Sequence, residues 1–501
     1  MAPGSRADSL SALAERQFDL LVIGGGIVGA GIASLAARHG LAVALVDRGD
    51  FGGATSSSSS KLIHGGLRYL RLGDIRLVRE AHEERRHLMS VVAPHLVHQI
   101  PFLLPLYEDG PHRPYVVQTG IALYSTLARA RLNGLVTPAR AQRMVPDLRD
   151  EGLRKCGLYV DCWTNDSRLA LANIRAAADS GATVVNYAEV VALRLEGGQV
   201  AGAEVAADGA TVGVRARAVV NASGPWLDAV RRLEDPDAGR SIRLSKGVHV
   251  LVDPDRSWSA ALTIPHDKVR VSFAVPWQGM LLLGTTDALY EGDPAEVAVE
   301  EADIEQVLAE AAVAVDPALI GRDRVRATYA GLRVLPGGDG VTTNARRETV
   351  YMRGSGGMLS VAGGKLTTYR RIALDALAAI RSELGLHAVD RRPWPLPGAS
   401  ELDRIQLPVE VDPALRSHLR HLYGSLSAEV LAPALEDPSL LEPLVPGALE
   451  IAAQVLYAAG SEWAQTAEDV ARRRTTLALR GRAEPAVMRR IEELMAQRSP
   501  A

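Results

Sequence analysis

The sequence predicts a mixed α/β chain: a Rossmann-type dinucleotide-binding unit first, a mostly antiparallel sheet next and an all-α domain last. Three observations predict it. Phe18 to Asp47 reads as strand, glycine turn, helix and strand, with an acid at the end. Residues 241–300 carry strand and turn signals without long helices between them. Beyond a proline-bearing span from Arg392 to Pro397, about a hundred residues show helical patterns.

The first unit rests on spacing. Leu20-Leu21-Val22-Ile23 is an apolar run long enough for a buried parallel strand and too short for a helix. Gly24, Gly26 and Gly29 follow in the G-x-G-x-x-G spacing. Small residues and aliphatics then mix from Ile27 to Arg38, as in a helix packed close to a sheet. A second strand, Leu41 to Val46, ends on Asp47, 23 residues after Gly24. Gly24 permits the tight turn, Gly26 admits a pyrophosphate, and Gly29 lets helix and strand touch. The helix N-terminus faces the phosphates, and Asp47 can accept from a ribose diol.

At 501 residues the chain is long enough for two or three domains with a large core. Residues 1–17 read as a polar leader, 18–388 as the cofactor- and substrate-binding region, and 395–501 as the helical domain. A composition of 47% hydrophobic and 23% charged residues is that of a soluble globular protein. The formal net charge of -3 gives no electrostatic reason to expect nucleic acid as a partner. Cys156 and Cys162 are the only cysteines, so neither a disulfide framework nor a cysteine zinc site is expected, and no metal is. This suits a cytoplasmic setting. No run of about eighteen apolar residues occurs, so no membrane span is expected, while peripheral contact stays open.

Phe51 to Thr55 leads into five serines, Ser56 to Ser60, and then into Lys61-Leu62-Ile63-His64-Gly65-Gly66-Leu67-Arg68-Tyr69. This composition suits either a flexible linker or a loop that bonds phosphates and ribityl hydroxyls and aims cations at an anionic substrate. Its place just after the dinucleotide unit favours the loop. Ile75 to Val92 is a charged helical segment whose His82 and His87 are expected on a solvated face. Phe102 to Tyr107 reads as a strand. Gly120 to Leu132 is amphipathic and reads as either a core or an interfacial helix. A helix from Asp166 to Ser180 and strands around Thr183, Glu189 and Val205 come next, with turns at Gly197-Gly198 and Asp208-Gly209. Ala218 to Trp226 is a buried strand ending in small residues, which can lie against a flat ligand. A helix is expected from Glu300 to Val315. Met358 to Ala362 meets Gly363-Gly364-Lys365-Leu366 and a helix running to about Leu384, repeating the strand, glycine, helix logic of the N-terminus.

Five stretches together carry a family resemblance: GGGIVGAGIA, ATSSSSSKLIHGGLRYL, VNASGPWLD, YAGLRVL and GGKLTTYR. With SKGVHV, LGTTD and TAEDVARRRTTLALRG in order, the chain resembles the FAD-dependent glycerol-3-phosphate dehydrogenases of the aerobic, membrane-associated kind. The likeness runs from Phe18 into the C-terminal helices. It implies a glutathione-reductase-like FAD-binding domain with an interleaved antiparallel substrate sheet, mainly residues 90–160 and 241–350, and an all-α C-terminal domain. By position it assigns FAD to Gly24, Gly26, Gly29, Asp47, Thr55, Ser60, Lys61, Leu62, Val190, Ala222, Gly224, Gly363, Gly364 and Leu366. It assigns the substrate pocket to Arg68, His249, Thr286, Arg333, Arg346 and Lys365. Asp47 stands where the family commonly has glutamate, and Arg346 lies in a loop of variable length.

The implied reaction is oxidation of sn-glycerol 3-phosphate to dihydroxyacetone phosphate by hydride transfer to FAD, with a quinone as final acceptor. Arg68, Arg333 and Arg346 are the candidate phosphate ligands. His249 is the expected general base, with His64 its rival. Lys365 would stabilise charge on the reduced ring or a developing alkoxide. Three alternatives remain open: an oxygen-using glycerol-3-phosphate oxidase, an amino-acid or amine oxidase of the same superfamily, and a nucleotide-binding protein without activity. A peripheral site on the inner face of the cytoplasmic membrane, and a homodimer, complete the expectations.

Overall fold

Leu20, Leu21 and Val22 are fully buried, as an unbroken apolar strand between two neighbours must be. The computed structural model describes residues 5–71, 73–129, 134–337 and 349–497, the side chains at 68 and 71 excepted. The Gln17–Ile23 strand pairs in parallel with Val43–Val46 on one side and Ala210–Asn221 on the other. Among the described residues the sheet around it is eight-stranded, in the order Thr349–Arg353, Leu359–Gly363, Ala210–Asn221, Gln17–Ile23, Val43–Val46, Thr183–Val185. Glu189–Glu196 and Gln199–Ala207 extend it as an antiparallel meander turning at the two expected glycine sites. The Ile27–Arg38 helix buries its small residues so completely that a methyl on Gly31 would lie 3.0 Å from the Tyr369 ring.

Among the described residues the second sheet has ten strands, built on the long Val97–Tyr107, Leu153–Thr164, Ile242–Val252 and Val325–Pro336 strands. It is mostly antiparallel, with one parallel pairing between Ala261–Pro265 and Val97–Tyr107. The helix at the end of this region spans Glu301–Ala311.

Several segments differ from expectation. Residues 6–15 of the polar leader form a helix, because Ser5 and Asp8 make a reciprocal capping box and Leu13 reaches the core beside Phe18. His82 is not on a solvated face: it is fully buried, its ring 4.4 Å from that of Tyr124, and burial pushes its pKa down to about 3. The charges that made its helix look solvated are paired inside the protein, Arg85 with Asp161 and Glu84 with Arg370. Past His87 that helix continues as a π-turn over Leu88–Val92.

The amphipathic helix begins earlier than expected and spans Pro114–Leu127. It serves both readings on opposite sides: Ile121 and Tyr124 are core, whereas Tyr115, Val116 and Leu123 are exposed. Arg131 and Leu132 lie outside the described residues. The C-terminal helices hold a core of their own around Leu419, Val430, Val455 and Ile491. The helix expected over Thr466–Arg480 is instead a turn at Ala467–Asp469, a π-turn at Val470–Arg474 and a 3-10 turn at Ala478–Arg480. That break lets Arg473 and Arg474, adjacent in sequence, both turn inward onto one carboxylate, Asp50.

Candidate functional site

A cavity of about 870 Å³ lies between the two sheets and extends from the glycine turn to the wall of the antiparallel sheet. At the first end the backbone leaves no room for side chains. Gly24 has φ +107°, and a Cβ there would lie 2.6 Å from the Ala222 carbonyl. A Cβ on Gly29 would lie 1.9 Å from the Gly24 carbonyl oxygen, so Gly29 serves helix–strand contact and, unlike Gly24 and Gly26, does not line the cavity. Asp47 lines it; its Oδ2 accepts from the Gly25 N–H at 2.6 Å and its Oδ1 from the Gly49 N–H at 2.9 Å. Burial raises its pKa to about 6 despite these bonds. Val190, Ala222 and Gly224 complete this end.

The serine run is a folded loop. Ser56 Oγ accepts from the Ile27 N–H at 2.9 Å. Ser59 donates to Asp166 through both its backbone N–H and its hydroxyl. Thr55 Oγ1 donates to the Leu332 carbonyl at 2.7 Å, fastening the loop to the second sheet. Lys61 corrects an expectation: its side chain is fully buried and does not line the cavity. Its Nζ donates to Asp166 at 2.6 Å and to the Ser57 carbonyl at 2.8 Å. A buried ammonium needs a carboxylate beside it, and Asp166 is that partner. Lys61 therefore shapes the loop that presents Thr55, Ser60 and Leu62 to the cavity.

The far wall follows from strand register. Ser245 pairs with Arg333, Gly247 with Gly331, and His249 with Tyr329. Alternate residues of a strand share a face, so these three pairs form one surface. Its middle is bare backbone: a Cβ on Gly247 would lie 2.6 Å from Arg333 Nη2, and one on Gly331 would lie 2.6 Å from the Ser58 carbonyl oxygen. His249 stands at one end, stacked on Tyr329 with ring centroids 4.9 Å apart. Its Nε2 shares a hydrogen bond with Ser60 Oγ at 2.9 Å, and its buried Nδ1 has no partner among the described residues. Burial, then the charges of Arg333 and Lys61, hold its pKa well below the ordinary histidine value, so the ring is neutral near pH 7.

Arg333 stands at the other end, donating to Thr285 Oγ1 at 2.9 Å and to the Thr286 carbonyl at 3.1 Å. Thr286 itself does not line the cavity. Its Oγ1 accepts from the Val248 N–H at 2.9 Å, so it positions Arg333 from behind. Lys365 reaches the cavity with Gly363, Gly364 and Leu366, its Nζ 3.4 Å from the centroid of the Tyr69 ring. His64 also lines this region. The Arg68 side chain and Arg346 lie outside the described residues.

Ser245 and Tyr329 share the face of the far wall without lining the cavity: Ser245 Oγ donates to Asp287, and Tyr329 Oη donates to the Ser59 carbonyl at 2.7 Å. Arg473 does line the cavity. It sits in the TAEDVARRRTTLALRG stretch, whose string carries the family resemblance but does not show that the chain folds back to the cavity from its far end. Together the sites offer an extended, glycine-floored slot with a carboxylate at one end and cations and a neutral imidazole at the other. That donor set fits a dinucleotide.

Residues 19–370 match the model of a family described as FAD dependent oxidoreductase. Residues 391–499 match one described as the C-terminal domain of alpha-glycerophosphate oxidase. Glycerol-3-phosphate dehydrogenase 2 of Mycobacterium tuberculosis is 38% identical over 499 residues, covering 96% of this chain and 84% of that protein. D-erythritol 1-phosphate dehydrogenase of Brucella abortus is 36% identical over 482 residues, covering 91% of this chain and 94% of that protein. The crystal structure of glycerol-3-phosphate dehydrogenase from Bacillus halodurans, complexed with FAD, aligns with a TM-score of 0.80 at 29% identity. That alignment covers 98% of this chain and 93% of the other.

Proposed function

We propose, from the premise that this chain belongs to the FAD-dependent oxidoreductases and among them to the glycerol-3-phosphate dehydrogenases, that it oxidises sn-glycerol 3-phosphate to dihydroxyacetone phosphate. The observation that carries the reading is the wall in which Arg333 and His249 flank the bare Gly247–Gly331 pair. Arg333 and His249 both line the cavity there, which supports a three-carbon substrate with its phosphate at the guanidinium and its secondary hydroxyl toward the imidazole. FAD, when bound, supplies the two-electron acceptor that takes the hydride leaving carbon 2. The protein does the rest. Arg333, with Arg68 and Arg346 as further candidates, binds the phosphate dianion through charge-assisted bonds. His249 takes the hydroxyl proton, with His64 as the rival base. The phosphate offsets the charge of Arg333, one of the causes that depress His249, so substrate binding strengthens the base it needs. Lys365, backed by Tyr69, faces the developing negative charge.

The electrons then pass to a quinone. No helix among the described residues is long and apolar enough to cross a membrane. The proposed route is peripheral docking on the inner face of the cytoplasmic membrane through the exposed Tyr115, Val116 and Leu123. A second reading, a four-carbon polyol phosphate as substrate, is favoured by the D-erythritol 1-phosphate dehydrogenase match. Anaerobic bleaching of the bound flavin by sn-glycerol 3-phosphate, D-erythritol 1-phosphate and amino acids in turn decides the substrate. Reoxidation by a quinone or by air then decides the acceptor. Bleaching by an amino acid alone would overturn the reading.

A further inference from the structure

The C-terminal domain contributes one residue to the cavity wall among the described residues, Arg473. It arrives in a knot of four buried charges. Arg473 donates through Nε to Asp50 and through Nη2 to Asp469 at 2.6 Å. Arg474 donates through Nη1 and Nη2 to the two oxygens of Asp50, and through Nε to the Glu462 carbonyl at 3.1 Å. Asn186 Nδ2 bridges Asp50 Oδ1 at 3.1 Å and the Trp463 carbonyl at 2.7 Å. Tyr187 Oη donates to Asp469 Oδ1 at 2.7 Å. Burial pushes the Asp50 carboxyl up, but the two arginines outweigh it and hold it below the ordinary range.

Asp50 closes the loop that begins at Asp47. Beside it Phe51 packs edge-on against Trp463, with centroids 5.8 Å apart, and presses so close to the glycine turn that a Cβ on Gly25 would lie 2.4 Å from its ring. The loop is thus held between the dinucleotide turn and the C-terminal domain. Nε and Nη2 of Arg473 are spent on carboxylates, and the residue also lines the cavity. These pairs hold the Arg473 guanidinium in place at the cavity wall before any ligand arrives.

We propose that Arg473 is a cofactor-binding residue, gripping the ribose–diphosphate half of FAD, and that docking of the C-terminal domain and retention of the dinucleotide are one coupled equilibrium. The proposal rests on FAD as the cofactor and not on which alcohol is oxidised. The coupling is reciprocal, since each event stabilises the other by the same factor.

The test uses the full-length apoprotein. Titration with FAD, followed by flavin fluorescence, should give a Kd at least about tenfold higher for Arg473→Gln than for wild type. ADP, a probe for the ribose–diphosphate half, should weaken to a similar degree. Kd values within twofold of wild type would overturn the proposal, as would a loss for FAD with none for ADP. A variant that lowers thermal stability while leaving both affinities unchanged makes the knot structural only, and also overturns it. The wild-type protein gives an arm that does not depend on the variant folding. Amides of residues 466–480 should exchange with deuterium more slowly in the FAD-bound than in the apoprotein. Equal exchange rates refute the coupling.

Discussion

Arg333 meets the cavity with part of its guanidinium already committed to Thr285 and Thr286, which fixes its orientation before any ligand arrives. Arg333→Ala is expected to lower kcat/KM for glycerol 3-phosphate by one to two orders of magnitude while FAD stays bound. A charge-assisted bond contributes roughly 1.5–3 kcal/mol and 1.4 kcal/mol is about tenfold. A change below about threefold, with flavin content as the control, removes Arg333 from the phosphate site. Asp47 gives a pH dependence of defined sign. Its folded value of about 6 exceeds the ordinary 3.8, so the native apoprotein holds this proton more tightly than the unfolded chain. The contribution is full below about pH 4, is lost as pH rises through about 6, and amounts to at most about 3 kcal/mol at about 1.4 kcal/mol per unit. FAD binding runs the other way, because the ionised carboxylate is the better acceptor for ribose hydroxyls. One pH unit below a pKa leaves about a tenth ionised, so the FAD Kd should rise roughly tenfold from pH 8 to pH 5. Asp47→Asn should flatten that dependence; an unchanged slope would assign it to another group.

The Pro114–Leu127 helix is the element on which the membrane proposal turns, and its two faces require different variants. Tyr115 and Leu123 are exposed, so Tyr115→Glu with Leu123→Glu should leave folding and flavin content intact while abolishing co-sedimentation with anionic liposomes and quinone turnover. Binding should also weaken as salt rises. If the double variant still co-sediments, docking lies elsewhere; if wild type does not bind at low salt, docking itself fails. Tyr124 lies on the inner face, donating to both oxygens of Asp161, which also pairs with Arg85. Tyr124→Phe leaves a buried carboxylate short of a donor and should cost about 1–3 kcal/mol by denaturant unfolding, with liposome binding unchanged.

Across the whole molecule, buried ion pairs join the C-terminal helices to the FAD-binding region: Arg168 with Glu462 at 2.6 Å, and Asp50 with both Arg473 and Arg474. Removing one partner of a buried pair strands the other charge. Asp50→Asn should therefore cost about 3–5 kcal/mol. Calorimetry of the wild-type holoenzyme should show a single unfolding transition although the parallel sheet and the C-terminal helices have separate hydrophobic cores, since neither region can leave without exposing these charges. Two resolved transitions would show that the junction does not couple them.

The sequence alone determined what depends on neighbours along the chain. The Gly24–Asp47 unit, the meander with its two glycine turns and the glycine approach to Lys365 all follow from period and turn chemistry, which act over a few residues. Motif order gave the family and FAD, because G-x-G-x-x-G spacing and the SSKLIHGGLRYL and GGKLTTYR stretches are local strings. Tertiary structure decided whatever depends on a partner distant in sequence. Lys61 reads as a cofactor contact and is consumed by Asp166, 105 residues away. His82 reads as part of a solvated face and is buried, in a helix whose Arg85 is paired inside the protein with Asp161. Thr286 reads as a substrate contact and is turned behind Arg333 by the Val248 N–H. Arg473 gives no local hint of the cavity, which it reaches by folding back onto Asp50, 423 residues before it. A charge in a sequence declares that it must be solvated or paired, and only the fold says which, because desolvation is settled by the groups that close over it.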